Sequence, residues 1–189
     1  GGTPRRPRCE GSEHVMVSDD MFALETLPKS MVVQGAGYIG VEFACIMNGL
    51  GVDVTLNYRG DKILRGFDED IRNHLTEEMR KQGIEFVLNT DIQKIKKDGD
   101  ALSVHLDDGN IMKTDAVLSA IGRVSNFEGL NLEAAGVEVE QNGKIKIGDN
   151  FETNVPHVYA VGDIIEGLEL TPVALAEGHI LADQLLNPN

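Results

Sequence analysis

The chain has 189 residues, enough for an ordinary domain with a real core. A hydrophobic content of 41%, a charged content of 25% and a mean hydropathy of −0.16 exclude extended disorder and fibrous repeats. No apolar run approaches the ~20 residues needed to span a bilayer, and a formal charge of −14 argues against nucleic-acid or anionic-membrane partners.

The charge is uneven. After Lys146 there is no Lys or Arg, while seven acids follow. Any anion site therefore belongs to the earlier part of the chain. Cys9 and Cys45 cannot make a disulfide framework or a four-cysteine zinc site, and they suit a reducing, cytoplasmic compartment. No metal site is expected. The opening Gly1-Gly2-Thr3-Pro4 carries no signal-peptide pattern and reads as a loop in mid-protein.

In chain order, His14–Val17 reads as a short strand, and Ser18-Asp19-Asp20 offer capping oxygens to a short helix at Met21–Leu24. Ser30–Gln34 is apolar and β-branched, a buried strand. The turn Gly35–Gly37 leads into a helix ending near Leu50, with Ile39, Phe43, Ile46 and Met47 expected on its apolar face. Val52–Tyr58 is the next strand. Asp68–Gln82 is an amphipathic helix whose acids open it and whose Arg80 and Lys81 close it, as the helix dipole favours. Glu85–Leu88 is a strand. From Asp91 to Thr114 the period changes to two, predicting an antiparallel meander of Ile92–Ile95, Ala101–Leu106 and Ile111–Lys113. Ala116–Ala120 is a further buried strand. Val137–Val139 and Lys144–Ile147 flank Asn142-Gly143 and predict a hairpin, Val158–Val161 a strand, and Leu170–Leu186 a helix. The expected fold class is α/β: a Rossmann-like parallel sheet with an antiparallel β-meander. The β–turn–α–β order over residues 30–58 demands a right-handed parallel crossover.

The strongest motif is Gly35-Ala36-Gly37-Tyr38-Ile39-Gly40, between a buried strand and a helix. In that context GxGxxG binds a dinucleotide. Gly35 makes the tight turn, Gly37 admits a pyrophosphate, and Gly40 allows close helix–strand packing. If Gly40 serves only that purpose, alanine should be tolerated there, with a gain of up to ~1 kcal/mol in helix propensity. An NAD site wants an acid at the end of the second strand to hold the ribose hydroxyls. This strand ends Asn57-Tyr58-Arg59, and Arg59, Lys62 and Arg65 follow. Guanidinium groups bind a 2′-phosphate through charged forks, so the residues favour NADP(H) over NAD(H).

The segments GAGYIGVEFA, YRGDKILRGFD, AIGR and TNVPHVYAVGD…LTPVA occur in the order and spacing of one family. The chain resembles the central part of a class I pyridine nucleotide-disulfide oxidoreductase, a flavoprotein disulfide reductase of the glutathione reductase branch. The resemblance implies a crossover segment from an FAD domain at 1–27, an NADPH-binding domain at 28–149 and a return into the FAD domain at 150–189. It assigns Tyr38 as the gate over the nicotinamide pocket and Glu42 as a neighbour of the nicotinamide. Arg59 and Arg65 become the 2′-phosphate pair, and Ala120-Ile121-Gly122-Arg123 the loop closing over the dinucleotide. Asp163 holds the FAD ribityl chain, and Thr171-Pro172 open a helix facing the flavin.

The implied cofactors are NADPH and FAD. The implied substrate of the intact enzyme is glutathione disulfide, with trypanothione or a glutathione amide disulfide as alternatives, and the implied assembly is a homodimer. No catalytic residue is assigned within this chain: the family's redox pair is CxxxxC, whereas Cys9 and Cys45 stand 36 positions apart. By itself the chain also fits a non-catalytic dinucleotide-binding module. Its five histidines stand in no motif and read as structural or surface residues. Two positions depart from the family. Gly40 stands where many NADPH-linked members carry Ala, and Val124 where proline is usual.

Overall fold

In a computed structural model, which describes residues 1–187, the chain runs β1 (Gly2–Pro4), β2 (Met16–Val17), α1 (Ser18–Met21), β3 (Ser30–Gln34), α2 (Tyr38–Gly49), β4 (Asp53–Tyr58), α3 (Glu69–Lys81) and β5 (Glu85–Leu88). It continues through β6 (Ile92–Asp98), β7 (Ala101–Leu106), β8 (Ile111–Thr114), β9 (Ala116–Ser119), β10 (Arg123–Ser125) and α4 (Thr171–Leu186). Two compact units emerge, residues 4–122 and residues 1–3 with 123 onward. The last two residues of the 150–189 segment, Pro188 and Asn189, lie outside the described residues.

In the unit of residues 4–122 the strands β2-β9-β3-β4-β5 form a parallel sheet. Alternation along β3 explains its two-sided burial. Met31 and Val33 join a core with Val41, Ala44 and Met47 of α2 and Met79 of α3. Val32 faces the other way and packs with Ile92, Ile95, Leu102, Val104 and Leu106 of the antiparallel sheet β6-β7-β8. The result is three layers: helices, parallel sheet, meander. The register sets Gln34 opposite both Asn57 and Ser119, so three strands end level and their following loops meet.

Asp68 caps α3, its Oδ1 accepting from the backbone N–H groups of Asp70 (3.0 Å) and Ile71 (3.3 Å). β6 runs on to Asp98, beyond its expected end.

Three local expectations for this unit need correction. The first strand shrinks to Met16–Val17 behind a 3₁₀ turn at Ser12–His14, where the N–H groups of His14 and Val15 are taken by Gly11 O and Ser12 O. The short helix starts at Ser18 rather than Met21, since Asp20 Oδ2 reaches back to accept from the N–H of Val17 at 2.8 Å. On α2 the buried residues are Gly40, Val41, Ala44 and Met47; Met47 is as expected and Phe43 packs half-buried against the same core, but Ile39 and Ile46 do not belong to it. The small side chains face the sheet because they permit close approach, and Ile46 is left 54% exposed.

In the second unit β1 pairs with β10, and Val137, Ile145, Ala160 and Ile165 form a small core with Phe127, Phe151 and Val158 around it. The predicted hairpin is reduced to one bridge, Val139–Ile145, around a turn in which Gly143 donates to Glu140 O. The segment Val158–Val161 is no strand either: it makes one bridge, Glu152–Tyr159. A strand needs a neighbour to carry its ladder, and among the described residues neither segment has one over its length.

Candidate functional site

The level ends of β9, β3 and β4 open into a cleft of about 590 Å³ within the unit of residues 4–122. Carboxyl ends of parallel strands are where such sheets take ligands. Gly35 through Ile39 form part of its wall, Arg59 and Arg65 another part, and Ala120, Ile121 and Gly122 a third. The structure thus gathers residues far apart in the chain into one cavity.

The glycine turn is held from both sides. Gly35 N–H donates to Asn57 O (2.9 Å), and Ala120 N–H donates to Gln34 O (2.7 Å). Gly35 has φ +109°, and a Cβ there would stand 2.3 Å from Ala120 O. Gly37 is different. A Cβ on it would meet nothing within 4 Å, so its missing side chain leaves space directly over the backbone at the start of α2. That space, beside a helix N-terminus, fits a pyrophosphate. Gly40 is packed underneath: a Cβ would lie 2.3 Å from Gly35 O and 3.0 Å from its carbonyl carbon. The expected tolerance of alanine at Gly40 is therefore wrong. The obstacle is main chain, which cannot rotate aside as a side chain can.

The arginine loop after β4 is pinned to the glycine turn. Leu64 is buried, has φ +52°, and donates its N–H to Ala36 O at 2.7 Å. Arg72 of α3 holds the same loop, its Nε donating to Ile63 O (2.7 Å) and its Nη2 to Lys62 O (3.3 Å). Lys62 is engaged by Glu69. Among the described residues Arg59 and Arg65 form no ion pair, and both are exposed. Two guanidinium groups are thus available at the cleft in a chain of strongly negative charge, a donor set that fits a phosphate.

Sequence reasoning missed several residues of the cleft. Gln34 and Asn57 line it and are buried. Gln34 Nε2 donates to Asp91 Oδ1, while Asn57 Nδ2 lies within 3.2 Å of Val87 O, Thr90 O and Thr90 Oγ1. Their amide oxygens have no partner. The available signal was a polar residue closing each of two otherwise apolar strands. Arg5, Arg8 and Cys9 also line the cleft. Burial pushes the Cys9 thiol up, and the carboxylates of Asp91 and Glu13 add to this. Burial alone pushes Cys45 up. Both thiols therefore favour the protonated form, unlike an activated nucleophile.

Other predicted residues lie elsewhere. Glu42 is exposed on α2 and does not line the cleft. Arg123 belongs to β10, and its Nη2 donates to Gly2 O. Asp163 sits in a 3₁₀ turn, Gly162–Ile164, in the second unit. Lys144 Nζ donates to Asp163 O at 2.6 Å and to Glu169 Oε1 at 2.5 Å, and Gly162 N–H donates to Glu177 Oε2 at 2.7 Å. Thr171 and Pro172 open α4 as expected, Pro172 standing in its first turn. Among the described residues there is no group of three or more His, Cys, Asp or Glu able to hold a metal ion, and no helix long and apolar enough to cross a membrane.

Comparison with known proteins matches the chain in sequence and in fold. Residues 1–178 match the pyridine nucleotide-disulphide oxidoreductase family. The chain is 44% identical over 183 residues to a glutathione reductase of Burkholderia cepacia, covering 97% of this chain and 41% of that protein. It is 41% identical over 201 aligned positions to a glutathione reductase of Nostoc, covering 100% of this chain and 44% of that one. Among solved structures, the HOCl-induced flavoprotein disulfide reductase RclA of Escherichia coli superimposes with a TM-score of 0.94 at 29% identity, over 100% of this chain and 44% of RclA. The chain spans less than half the length of these relatives. It belongs to the pyridine nucleotide-disulphide oxidoreductase family.

Proposed function

We propose that the cleft binds NADPH and that this chain is the nucleotide-binding portion of a glutathione reductase-like flavoprotein. The observation that carries the reading is the placement of Arg59 and Arg65, free of ion pairs among the described residues, in one cleft with the glycine turn at a strand end that lacks an acid. In this reading Gly35, Ala36, Gly37 and Ile39 hold the pyrophosphate over the start of α2, and Gly40 supports the turn from below. Arg59 and Arg65 hold the 2′-phosphate, and Ala120, Ile121 and Gly122 close over the dinucleotide. Tyr38, at the mouth of the cleft, covers the nicotinamide pocket, and Glu42 lies one helical turn beyond it.

Asp163 and the Thr171-Pro172 end of α4 contribute to an FAD site, with Arg123 nearby in sequence to the closing loop. Residues 28–149 then constitute the NADPH-binding domain, 1–27 the crossover into it and 150–189 the return to the FAD domain. The likeness to glutathione reductases supports glutathione disulfide as the intact enzyme's substrate and a homodimer as its assembly. Bound NADPH supplies a hydride, and the overall reaction converts NADPH, a proton and glutathione disulfide into NADP⁺ and two glutathione molecules. This chain's own part is to bind and orient the nucleotide.

The test is to titrate NADPH and NADH into the chain and into its Arg59→Ala/Arg65→Ala variant. Each charged hydrogen bond is worth ~1.5–3 kcal/mol, so the variant should lose NADPH affinity by at least ~100-fold. NADH affinity should barely change. Equal NADPH affinity in both proteins would remove the assignment.

A further inference from the structure

The cleft has a second pair of arginines that neither the glycine turn nor the β4 loop supplies. Arg5 and Arg8 line it on the strap Pro4-Arg5-Arg6-Pro7-Arg8. Pro4 and Pro7 restrict the backbone of the strap. Arg5 and Arg8, three positions apart, both line the cleft. Arg6 turns elsewhere, its guanidinium engaged by Val15 O and Asp20. The strap itself is fixed: Arg5 N–H donates to Gly122 O at 2.9 Å, and Ser119 Oγ donates to Arg5 O at 2.9 Å. Those anchors flank Ala120, whose carbonyl packs against Gly35. The two side chains therefore start one strand away from the glycine turn.

Among the described residues neither Arg5 nor Arg8 forms an ion pair. The acid in the cleft, Asp91, uses its Oδ1 to accept from Gln34 Nε2 and from the N–H of Ile92. A helix N-terminus offers only about half a unit of positive charge to an anion. A chain of −14 repels any phosphorylated ligand at long range. Both considerations leave work for local cations at the bridge between the two nucleosides.

On the reading that the cleft holds a 2′-phosphorylated dinucleotide, on which this inference rests, we propose that Arg5 and Arg8 bind the pyrophosphate. The ligand is then clamped by charge at two places, by Arg59 and Arg65 at the 2′-phosphate and by Arg5 and Arg8 at the bridge. The strap thereby serves binding as well as connection.

Two minimal ligands separate the two clamps. ADP carries the 5′-diphosphate without a 2′-phosphate, and adenosine 2′-monophosphate carries the reverse. Both are titrated into the chain, into Arg5→Gln/Arg8→Gln and into Arg5→Lys/Arg8→Lys, with thermal melting to check folding. The Gln variant should lose ADP affinity about tenfold or more, with 2′-monophosphate affinity changed by less than about twofold. The Lys variant should recover most of the ADP affinity. Unchanged ADP affinity in the Gln variant, equal losses for both ligands, or no ADP binding by the unsubstituted chain would overturn the proposal. Failure of the 2′-phosphate reading shows separately: Arg59→Ala/Arg65→Ala would then leave 2′-monophosphate binding intact.

Discussion

Leu64 donates its backbone N–H to the carbonyl oxygen of Ala36 at 2.7 Å, joining the arginine loop to the glycine turn. Leu64 holds φ +52°, a conformation that costs a leucine free energy and persists only where neighbours impose it. Arg72 is one of those neighbours, through the carbonyls of Lys62 and Ile63. It reaches the ligand only through this loop, so it is a positioning residue. Arg72→Lys keeps the charge but lacks the guanidinium fork. It should lower NADPH affinity several-fold while leaving NADH affinity unchanged. An unaltered ratio of the two affinities would mean that the loop holds its shape without the fork.

Gly40→Ala should destabilise the fold. A methyl group 2.3 Å from Gly35 O forces main chain to move. Overpacking of this kind costs about 1–3 kcal/mol, against a helix-propensity gain of ~1 kcal/mol. The midpoint of urea denaturation should fall, and NADPH affinity should fall with it because the displaced carbonyl belongs to the phosphate turn. A variant as stable as the parent and binding as tightly would contradict the packing described here.

The turn bearing Asp163 is clamped by charge. Lys144 and Glu169 form an ion pair with side chains 16% and 29% exposed, and the same ammonium donates to Asp163 O. Partial burial weakens solvent screening of the pair, so its coupling should exceed that of an exposed surface bridge. A double-mutant cycle of Lys144→Met and Glu169→Gln should give a coupling of about 0.5–3 kcal/mol. Amide exchange at Gly162 and Asp163 should quicken in Lys144→Met. A coupling near zero with unchanged exchange would show that the turn stands without the clamp.

Two carboxylates held below the usual range should respond differently to salt. Glu152 is lowered first by the backbone N–H of His157 and then by Asn150, whereas Glu69 is lowered first by its hydrogen bond to Lys62. For both groups the folded pKa lies below the unfolded one. Their contribution is therefore present above the ordinary carboxylate pKa and is lost as pH falls through the folded value. Raising the ionic strength should move Glu69 toward its ordinary value, because screening acts on the Lys62 charge. Glu152 should stay low. NMR titration of the two side-chain carboxyls at low and high salt measures both shifts.

The three-layer unit was legible because its signals are local and agree with one another. The apolar run at β3, the glycine turn, the acid-to-base gradient of α3 and the period of two in the meander each specify their element without reference to the rest. The face of α2 was misread because apolar count favours Ile39 and Ile46, whereas contact distance selects Gly40 and Ala44. The hairpin and strand after Gly136 have the right residues but no partner along their length, and partner availability is not written in a segment's own sequence. In the cleft, Arg59 and Arg65 could be read from spacing after the glycine turn. Arg5 and Arg8 could not, because only the register of β9 beside β3 brings their strap to the same edge.

Asn57 offers the sharpest check on that strand-end geometry. Its side chain is fully buried, and its Nδ2 faces Val87 O, Thr90 O and Thr90 Oγ1 at 3.0–3.2 Å, tying the end of β4 to the loop after β5. Asn57→Asp is nearly isosteric but replaces a donor with an acceptor facing two carbonyls. Ionised, it is a buried charge facing two carbonyl oxygens, and the cost at neutral pH should be at least ~3 kcal/mol. Burial and those carbonyls raise the folded pKa of the introduced acid above the unfolded value of ~3.9. The folded state then binds more protons than the unfolded one, so the variant's stability relative to the parent falls as pH rises through that range. Below it, the protonated acid can donate one hydrogen bond to Thr90 O or Val87 O and regain part of the loss. Chemical denaturation of parent and variant between pH 4 and 8 should therefore show a gap that widens with pH. A gap independent of pH would mean that water reaches position 57, and that the strand ends are less tightly closed against the loop than the hydrogen bonds of Asn57 imply.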